Sequence, residues 1–423
     1  MAIRGFYRSA LLLVFLSMPA AQNFGGPLAL DSLIKKALNN NTNIIAAKYW
    51  HSSADFASKA AGALPDPQLT FAASNMPRSS LSFDQTPMSG KSIGFMQPIP
   101  WPGKLSAKSR LANSLTDVQS ENVKIARNKV VRQLKEVFFD YSYWLLADEL
   151  IDENINISKD ITLFIETRYA NGQSSIEEVI SSEINTSELA NRKMQYATSL
   201  NSALLKLGQL TNDSMIAAAD IAASLPVDID AHYAAASVAA VNNPGLARAG
   251  FRLNAAKDKK SLAKSKYMPN LMLGVDYRIR SNSLNEPIGG EDFLSFKIGL
   301  SLPLWFSSKQ KNEVRSAKQG ILAAEAAQNS YDIMLKQAIK DSKQQLEKLS
   351  EQTNQYSELI IPLSESAFEA AFVAYEVGQI DFKALLADQT KLLNAKLARL
   401  NLVRQFHQTQ AVLDELTGKE YGE

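Results

Sequence analysis

Few side chains in this sequence are spaced for chemistry. The three histidines, His51, His232 and His407, are far apart, lie in helical stretches and belong to no metal-ligand motif. Each reads as a packed or surface residue. Glu177 and Glu178 sit among many other charges on a helical stretch, the pattern of a solvated face. Ser79 and Ser80 have no base at a recognisable spacing, so no activated nucleophile is expected. Gly289-Gly290 runs into Glu291-Asp292, which would repel a phosphate, and there is no Walker loop. Without cysteine there is no disulfide, thiolate metal site or lipid-modified N-terminal Cys. The expectation is a protein that is not an enzyme and carries no cofactor.

If the residues do no chemistry, the elements that hold them carry the function. The chain has 423 residues, 46% of them hydrophobic, which is ample for a buried core. Its 45 basic and 43 acidic residues leave a net charge of +2, which gives no argument for nucleic acid as a partner. At the N-terminus, Arg4 and Arg8 precede the apolar run Leu11-Leu12-Leu13-Val14-Phe15-Leu16, and Pro19-Ala20-Ala21 follows. This is the pattern of a secretory signal peptide over residues 1–21. No other stretch approaches 18 continuous apolar residues, so a membrane crossing has to be made by strands.

The mature sequence is written twice, over 22–224 and 225–423. Pro67-Gln68-Leu69 returns as Pro269-Asn270-Leu271, 202 positions on. Gln97-Pro98-Ile99-Pro100-Trp101 returns as Leu302-Pro303-Leu304-Trp305-Phe306, at 205. Tyr169-Ala170-Asn171-Gly172-Gln173 returns as Tyr375-Glu376-Val377-Gly378-Gln379, and Leu210-Thr211 as Leu416-Thr417, both at 206. Each half predicts a helical stretch (Leu30 to Ala63; His232 to Lys266), two strands, a very long helix (Lys104 to Arg168; Lys309 to Ala374), a glycine turn and a further helix (Ile176 to Leu210; Phe382 to Leu416). At ~1.5 Å per residue the long helices reach roughly 100 Å, the dimension of a tube and not of a globule. Only Pro362 interrupts them. The fold class is therefore mainly α with a small transmembrane β part.

Strict alternation marks the strands. Leu271, Leu273, Val275, Tyr277 and Ile279 point one way, and Asp276, Arg278 and Arg280 the other. In the partner, Leu294, Phe296, Ile298, Leu300 and Leu302 oppose Lys297. The first half carries weaker versions, Leu69, Phe71 and Ala73, then Ile93 and Phe95. Strands of this length with one apolar face fit an outer-membrane barrel whose lipid side is Leu271, Leu273, Val275, Tyr277, Phe296, Ile298 and Leu300. Asp276, Arg278, Arg280 and Lys297 then face the lumen. Four strands cannot close a barrel, so copies must pair; two give eight strands, three twelve, four sixteen. The inward charges favour a barrel wide enough to hold water.

With both halves ordered helix, strand, strand, long helix, glycine turn, helix, the chain resembles the TolC-type outer-membrane efflux proteins over its whole mature length. The turns Tyr169-x-x-Gly172 and Tyr375-x-x-Gly378 are similar to that family's helix-turn motif. Leu64-Pro65-Asp66-Pro67-Gln68-Leu69 and Gln97-Pro98-Ile99-Pro100-Trp101-Pro102-Gly103-Lys104 look like its heavy-metal (CzcC/CusC-like) branch. The resemblance implies a homotrimer with a 12-stranded β-barrel in the outer membrane and a long α-helical barrel in the periplasm. It implies a passive exit duct for metal cations or small toxic compounds, in a tripartite system with a periplasmic adaptor (membrane fusion) protein and a proton-driven RND pump of the inner membrane. The adaptor would meet the turns at Asn171, Gly172, Gln173, Val377, Gly378 and Gln379. Where some members place gate charges, six and nine positions after the second-turn glycine, this chain has Ala384 and Ala387. Asp381 and Asp388 are the gate candidates instead, since seven residues put them on one helix face. The competing account makes Asp381 a helix cap and Asp388 a solvated charge. Two other functions stay open, the exit channel of a type I protein secretion system and a soluble periplasmic coiled-coil scaffold.

Overall fold

The computed structural model describes residues 29–83, 86, 88–218, 221, 222, 225, 226, 242–280, 291–419 and 421. The signal-peptide segment, His232, Gly289, Gly290 and the boundary at 224 lie outside the described residues. In the first repeat, α1 (Leu30–Asn40) and α2 (Thr42–Ala61) lead to β1 (Gln68–Ser74) and β2 (Gly90–Pro100), then α3 (Lys104–Ala170) and α4 (Ile176–Thr211). The second repeat follows with α5 (Pro244–Ser265), β3 (Asn270–Ile279), β4 (Phe293–Ser301), α6 (Gln310–Gln355), a π-helical turn (Tyr356–Ile360), α7 (Ile361–Glu376) and α8 (Phe382–Thr417).

The stretch expected as one helix from Leu30 to Ala63 is two. Asn41 leaves helical geometry (ψ 124°), its side chain accepting from Asn43 N at 2.9 Å and donating to the Leu210 carbonyl at 2.8 Å. The side chain that ends α1 thus caps α2 and ties both to the end of α4. The 67-residue α3 starts after Gly103 (φ 93°), the left-handed residue of the Trp101-Pro102-Gly103 turn. It buries Val130, Leu134, Phe138, Tyr141, Ile151, Ile155, Ile161 and Ile165 on a continuous stripe. The core is accordingly strung out along the rod. One cluster joins α1, α3, α4 and α8 through Leu33, Leu134, Phe138, Leu207 and Val403. A middle one is centred on Ala147, Ile151 and Leu393, and a third, around Ile165, Tyr375, Phe382 and Leu385, lies beside the glycine turns.

The offset is 205 at Pro98 and Pro303 but 206 at the helix caps Gly103 and Lys309 and at Gly172 and Gly378, so the extra residue lies in the turn that precedes the second long helix. The second long helical run is interrupted by a π turn, Tyr356–Ile360, which the first lacks. Pro362, which has no N–H to give, follows directly, and Arg399 Nε donates to Ser357 Oγ at 2.6 Å across the bulge.

The strands form one antiparallel sheet in the order β1-β2-β3-β4. The central pairing, β2 on β3, joins the repeats with Phe95 opposite Val275 and Gly94 opposite Asp276. Among the described residues no helix is long and apolar enough to cross a membrane.

Candidate functional site

Two surfaces stand out, the sheet and the turn end of the helices. Register places Leu69 opposite Phe95 opposite Val275 opposite Phe296, and Phe71 opposite Ile93 opposite Tyr277 opposite Leu294. Leu271 pairs with Leu300 and Leu273 with Ile298 on the same face. All seven side chains expected to meet lipid therefore form one apolar sheet face, and Phe296 and Ile298 are each 78% exposed in the single chain. An apolar face this continuous is costly in water and suited to lipid.

The opposite face carries Thr70, Gly94, Asp276 and Ser295 in one row and Ser92 beside Arg278 in the next. Asp276 pairs with Lys297 at 3.4 Å. Its carboxylate occupies the space over Gly94, where a Cβ would come within 2.8 Å of Asp276 Oδ2. Three of the four lumen candidates share this face. Arg280 departs from the expectation: it lies one residue beyond β3 and belongs to the strand tip. Its Nε donates to the Glu291 carbonyl at 2.8 Å and its guanidinium covers the Phe293 ring at 4.4 Å.

At the far end of the helices, the two turns are built alike. Gly172 (φ 72°) and Gly378 (φ 74°) are left-handed, and Gln173 N to Arg168 O and Gln379 N to Ala374 O close them at 2.8 Å each. Open space surrounds both glycines, so the backbone angle alone demands glycine. The turns lie together because Arg168, in the last turn of α3, donates from Nη1 to the carbonyls of Tyr375 (3.1 Å) and Glu376 (2.9 Å). Its guanidinium also stacks over the Phe164 and Tyr375 rings at 5.8 and 5.2 Å.

The Tyr375 hydroxyl, buried, donates to Glu178 Oε2 at 3.0 Å, and Ser174 Oγ donates to the same oxygen. Burial and the Glu178 carboxylate both push the Tyr375 phenol above its ordinary range. Lys383 reaches Glu177 at 2.9 Å, which pushes its ammonium upward. The α3–α4 turn of one repeat is therefore latched to the α7–α8 turn of the other. Glu177 and Glu178, read from sequence as a solvated face, are half of that latch. The available signal was slight: a cation in the last turn of α3 and the tyrosine of Tyr-x-x-Gly. Of the gate candidates, Asp381 caps α8, accepting from Ala384 N at 2.8 Å, as the competing account holds. Asp388 lies half-buried further along α8.

His407 is a packing residue, stacked on Phe139 at 4.7 Å with Nε2 3.0 Å from the Pro226 carbonyl. Among the described residues no group of three or more His, Cys, Asp or Glu could hold a metal ion. Residues 235–419, in the second repeat, match the family described as outer membrane efflux protein. The cobalt-zinc-cadmium resistance protein CzcC of Cupriavidus metallidurans is 23% identical over 405 residues, covering 93% of this chain and 91% of that protein. The outer membrane protein VceC of Vibrio cholerae superposes with a TM-score of 0.76 at 18% identity, over 92% of this chain and 96% of that one. The channel CusC superposes at 0.72 and 14% identity, over 92% and 91%. An apolar sheet face at one end, latched helix turns at the other and these likenesses agree: the second repeat matches the outer membrane efflux protein family, and the chain as a whole has the fold of the outer membrane protein VceC and the channel CusC.

Proposed function

We propose that three copies of this chain form a passive exit duct for metal cations across the periplasm and outer membrane. The observation that supports it most strongly is the sheet, apolar on one face, polar on the other, and open at β1 and β4. In lipid each unpaired backbone group costs several kcal/mol, so the edges must pair with those of further copies. Twelve strands leave a wet lumen suited to Asp276, Arg278 and Lys297, whereas eight would be plugged by side chains. A soluble scaffold would have no use for the exposed Phe296 and Ile298. The metal cargo rests on the likeness to CzcC, a cobalt-zinc-cadmium resistance protein. The adaptor of an inner-membrane RND pump docks at the glycine turns, and the latch beside them holds the periplasmic mouth narrow.

Native mass in detergent and a metal-sensitivity assay test the two halves of this reading. Three copies per particle are expected, and cells deprived of the gene should become sensitive to cobalt, zinc or cadmium. A detergent-free monomer refutes the channel. Unchanged metal tolerance with loss of a secreted protein would move the cargo to the protein-secretion reading.

A further inference from the structure

Positive charge is gathered where the helices meet the sheet. The four ten-residue segments that flank the strands on their helix side, 58–67, 101–110, 260–269 and 302–311, hold nine lysines and arginines and one acid, Asp66. The chain as a whole is nearly balanced, with 45 basic and 43 acidic residues. The other end of the sheet has the opposite sign. Residues 75–89 and 280–292, which link β1 to β2 and β3 to β4, hold two bases and four acids. The positive collar therefore belongs to one end of the sheet and not to the surface at large.

Three of these bases are engaged within the chain. Lys59 pairs with Asp55 at 2.7 Å, Lys266 with Glu313 at 3.1 Å, and Arg110 lies 3.9 Å from Asp258. Lys104 donates to the Met268 carbonyl and to Asn270 Oδ1, both at 2.7 Å. Burial, and then the nearby Lys266 ammonium, push Lys104 below its ordinary range, as crowded like charges do. Lys108, Lys264, Lys309 and Lys311 are exposed and pair with no acid among the described residues.

Exposed aromatic residues lie at the same level. Trp101 and Leu302 stand one step beyond β2 and β4 in the alternation that puts Phe95 and Leu300 on the apolar face. Leu302, Leu304, Trp305 and Phe306 are all exposed, Trp305 at 76%. The edge position of β4 does not account for this, because β2 is flanked on both sides and Trp101 is still 41% exposed. Indole rings settle at the boundary between hydrocarbon and headgroups, so the tryptophans mark that boundary. The four unpaired lysines lie six to ten residues from the strand ends, at most about 15 Å at ~1.5 Å per helical residue.

Resting on the channel reading, which puts the helices on the periplasmic side, we infer that this collar binds anionic phospholipids of the periplasmic leaflet. Lys108, Lys264, Lys309 and Lys311 meet the phosphate oxygens, and Trp101 and Trp305 lie among the first carbons of the acyl chains. Each base beside an anionic surface strengthens binding about fivefold, and a three-copy ring repeats all four around its circumference. The collar lies against the bilayer and is continuous with its apolar sheet face, which favours phospholipid over the polyanions of the cell wall.

The chain's own tryptophans read the test. The trimer is placed in vesicles of phosphatidylethanolamine and phosphatidylglycerol, with brominated chains first on one lipid and then on the other. Quenching then gives the relative affinity at Trp101 and Trp305. The wild type should prefer phosphatidylglycerol by about fivefold or more at low salt. The preference should fade in molar salt, where the Debye length falls to about 3 Å, a result that needs no variant. Lys108→Gln, Lys264→Gln, Lys309→Gln and Lys311→Gln combined should remove most of it at unchanged trimer mass. Four exposed lysines changed elsewhere on the helices, Lys129→Gln, Lys206→Gln, Lys340→Gln and Lys348→Gln, should leave it intact. Equal quenching by both lipids in the wild type overturns the inference, as does a preference that survives the four collar changes or is lost equally in the control. Collar changes that raise cation selectivity in bilayer recordings without altering lipid preference would place the lysines in the lumen. Lysine-dependent binding to isolated peptidoglycan without a lipid preference would assign the collar to the cell wall; either result overturns the inference. A wild type that never enters vesicles overturns instead the channel reading on which it rests.

Discussion

Cutting the latch between the two turns should open the periplasmic mouth. The perturbation is Arg168→Ala together with Tyr375→Phe. Arg168 gives charged donors to two carbonyls at 3.1 and 2.9 Å, and Tyr375 gives one hydrogen bond at 3.0 Å to a carboxylate. Hydrogen bonds to charged groups contribute about 1.5–3 kcal/mol when sheltered, and less beside solvent. Glu376 is exposed, so we count its bond as negligible and keep two, for roughly 3 kcal/mol per copy. At about 1.4 kcal/mol per tenfold, that shifts a closed-to-open equilibrium by on the order of a hundredfold in each copy. Neither change touches the β-sheet, so assembly should survive. Single-channel recording in planar bilayers should show long-lived high-conductance openings in the double variant and rare ones in the wild type. Arg168→Lys, which keeps the charge but loses the fork, should fall between them. Intact double-variant trimers with wild-type conductance would refute the latch. The phenol adds a pH signature. Its pKa is raised in the folded state, so its contribution is complete below the unfolded phenol's pKa near ~10 and is lost as pH rises through the folded value. Openings should therefore increase at strongly alkaline pH in the wild type but not through this group in Tyr375→Phe.

Four other outcomes are expected. Ile298→Arg should destabilise the membrane part by about 2–4 kcal/mol near the bilayer midplane, while Lys297→Gln on the other face should leave trimer yield intact; equal loss in both would mean the faces are reversed. Val377→Asp with Gln379→Asp should abolish export at normal trimer yield, and normal export would place the adaptor contact elsewhere. Asp381→Asn keeps the α8 cap, because asparagine caps as well as aspartate. With Asp388→Asn it should lower cation preference in bilayer recordings if the pair lines the pore, and unchanged selectivity leaves Asp381 a cap alone. Lys36, hydrogen-bonded to Asp213, holds that carboxyl below its ordinary range. Its contribution is present above the unfolded pKa and lost as pH falls through the folded one, so Asp213→Asn should flatten the acid limb of thermal stability, read by circular dichroism.

What the sequence determined by itself was everything set by local period. Alternation marked β3 and β4 to within a residue or two, since a side chain on a strand can only face one of two sides, but of β2 (Gly90–Pro100) it marked only Ile93 and Phe95. Gly172, Gly378 and the prolines bounded the long helices, because backbone angles near +72° and a missing N–H are local facts. The repeat exposed the order of elements. The π turn just before Pro362 had to be seen. Tertiary structure alone decided the contacts between segments far apart in the chain. Asn41 breaks a helix because the Leu210 carbonyl, 169 residues on, is within its reach. Arg168 latches a turn 207 residues away, and Glu178 is drawn out of a solvated face by a tyrosine 197 residues distant. Such pairings carry no period: a charged residue on an amphipathic helix looks alike whether it meets water or a partner, and only the packing of the rods decides which.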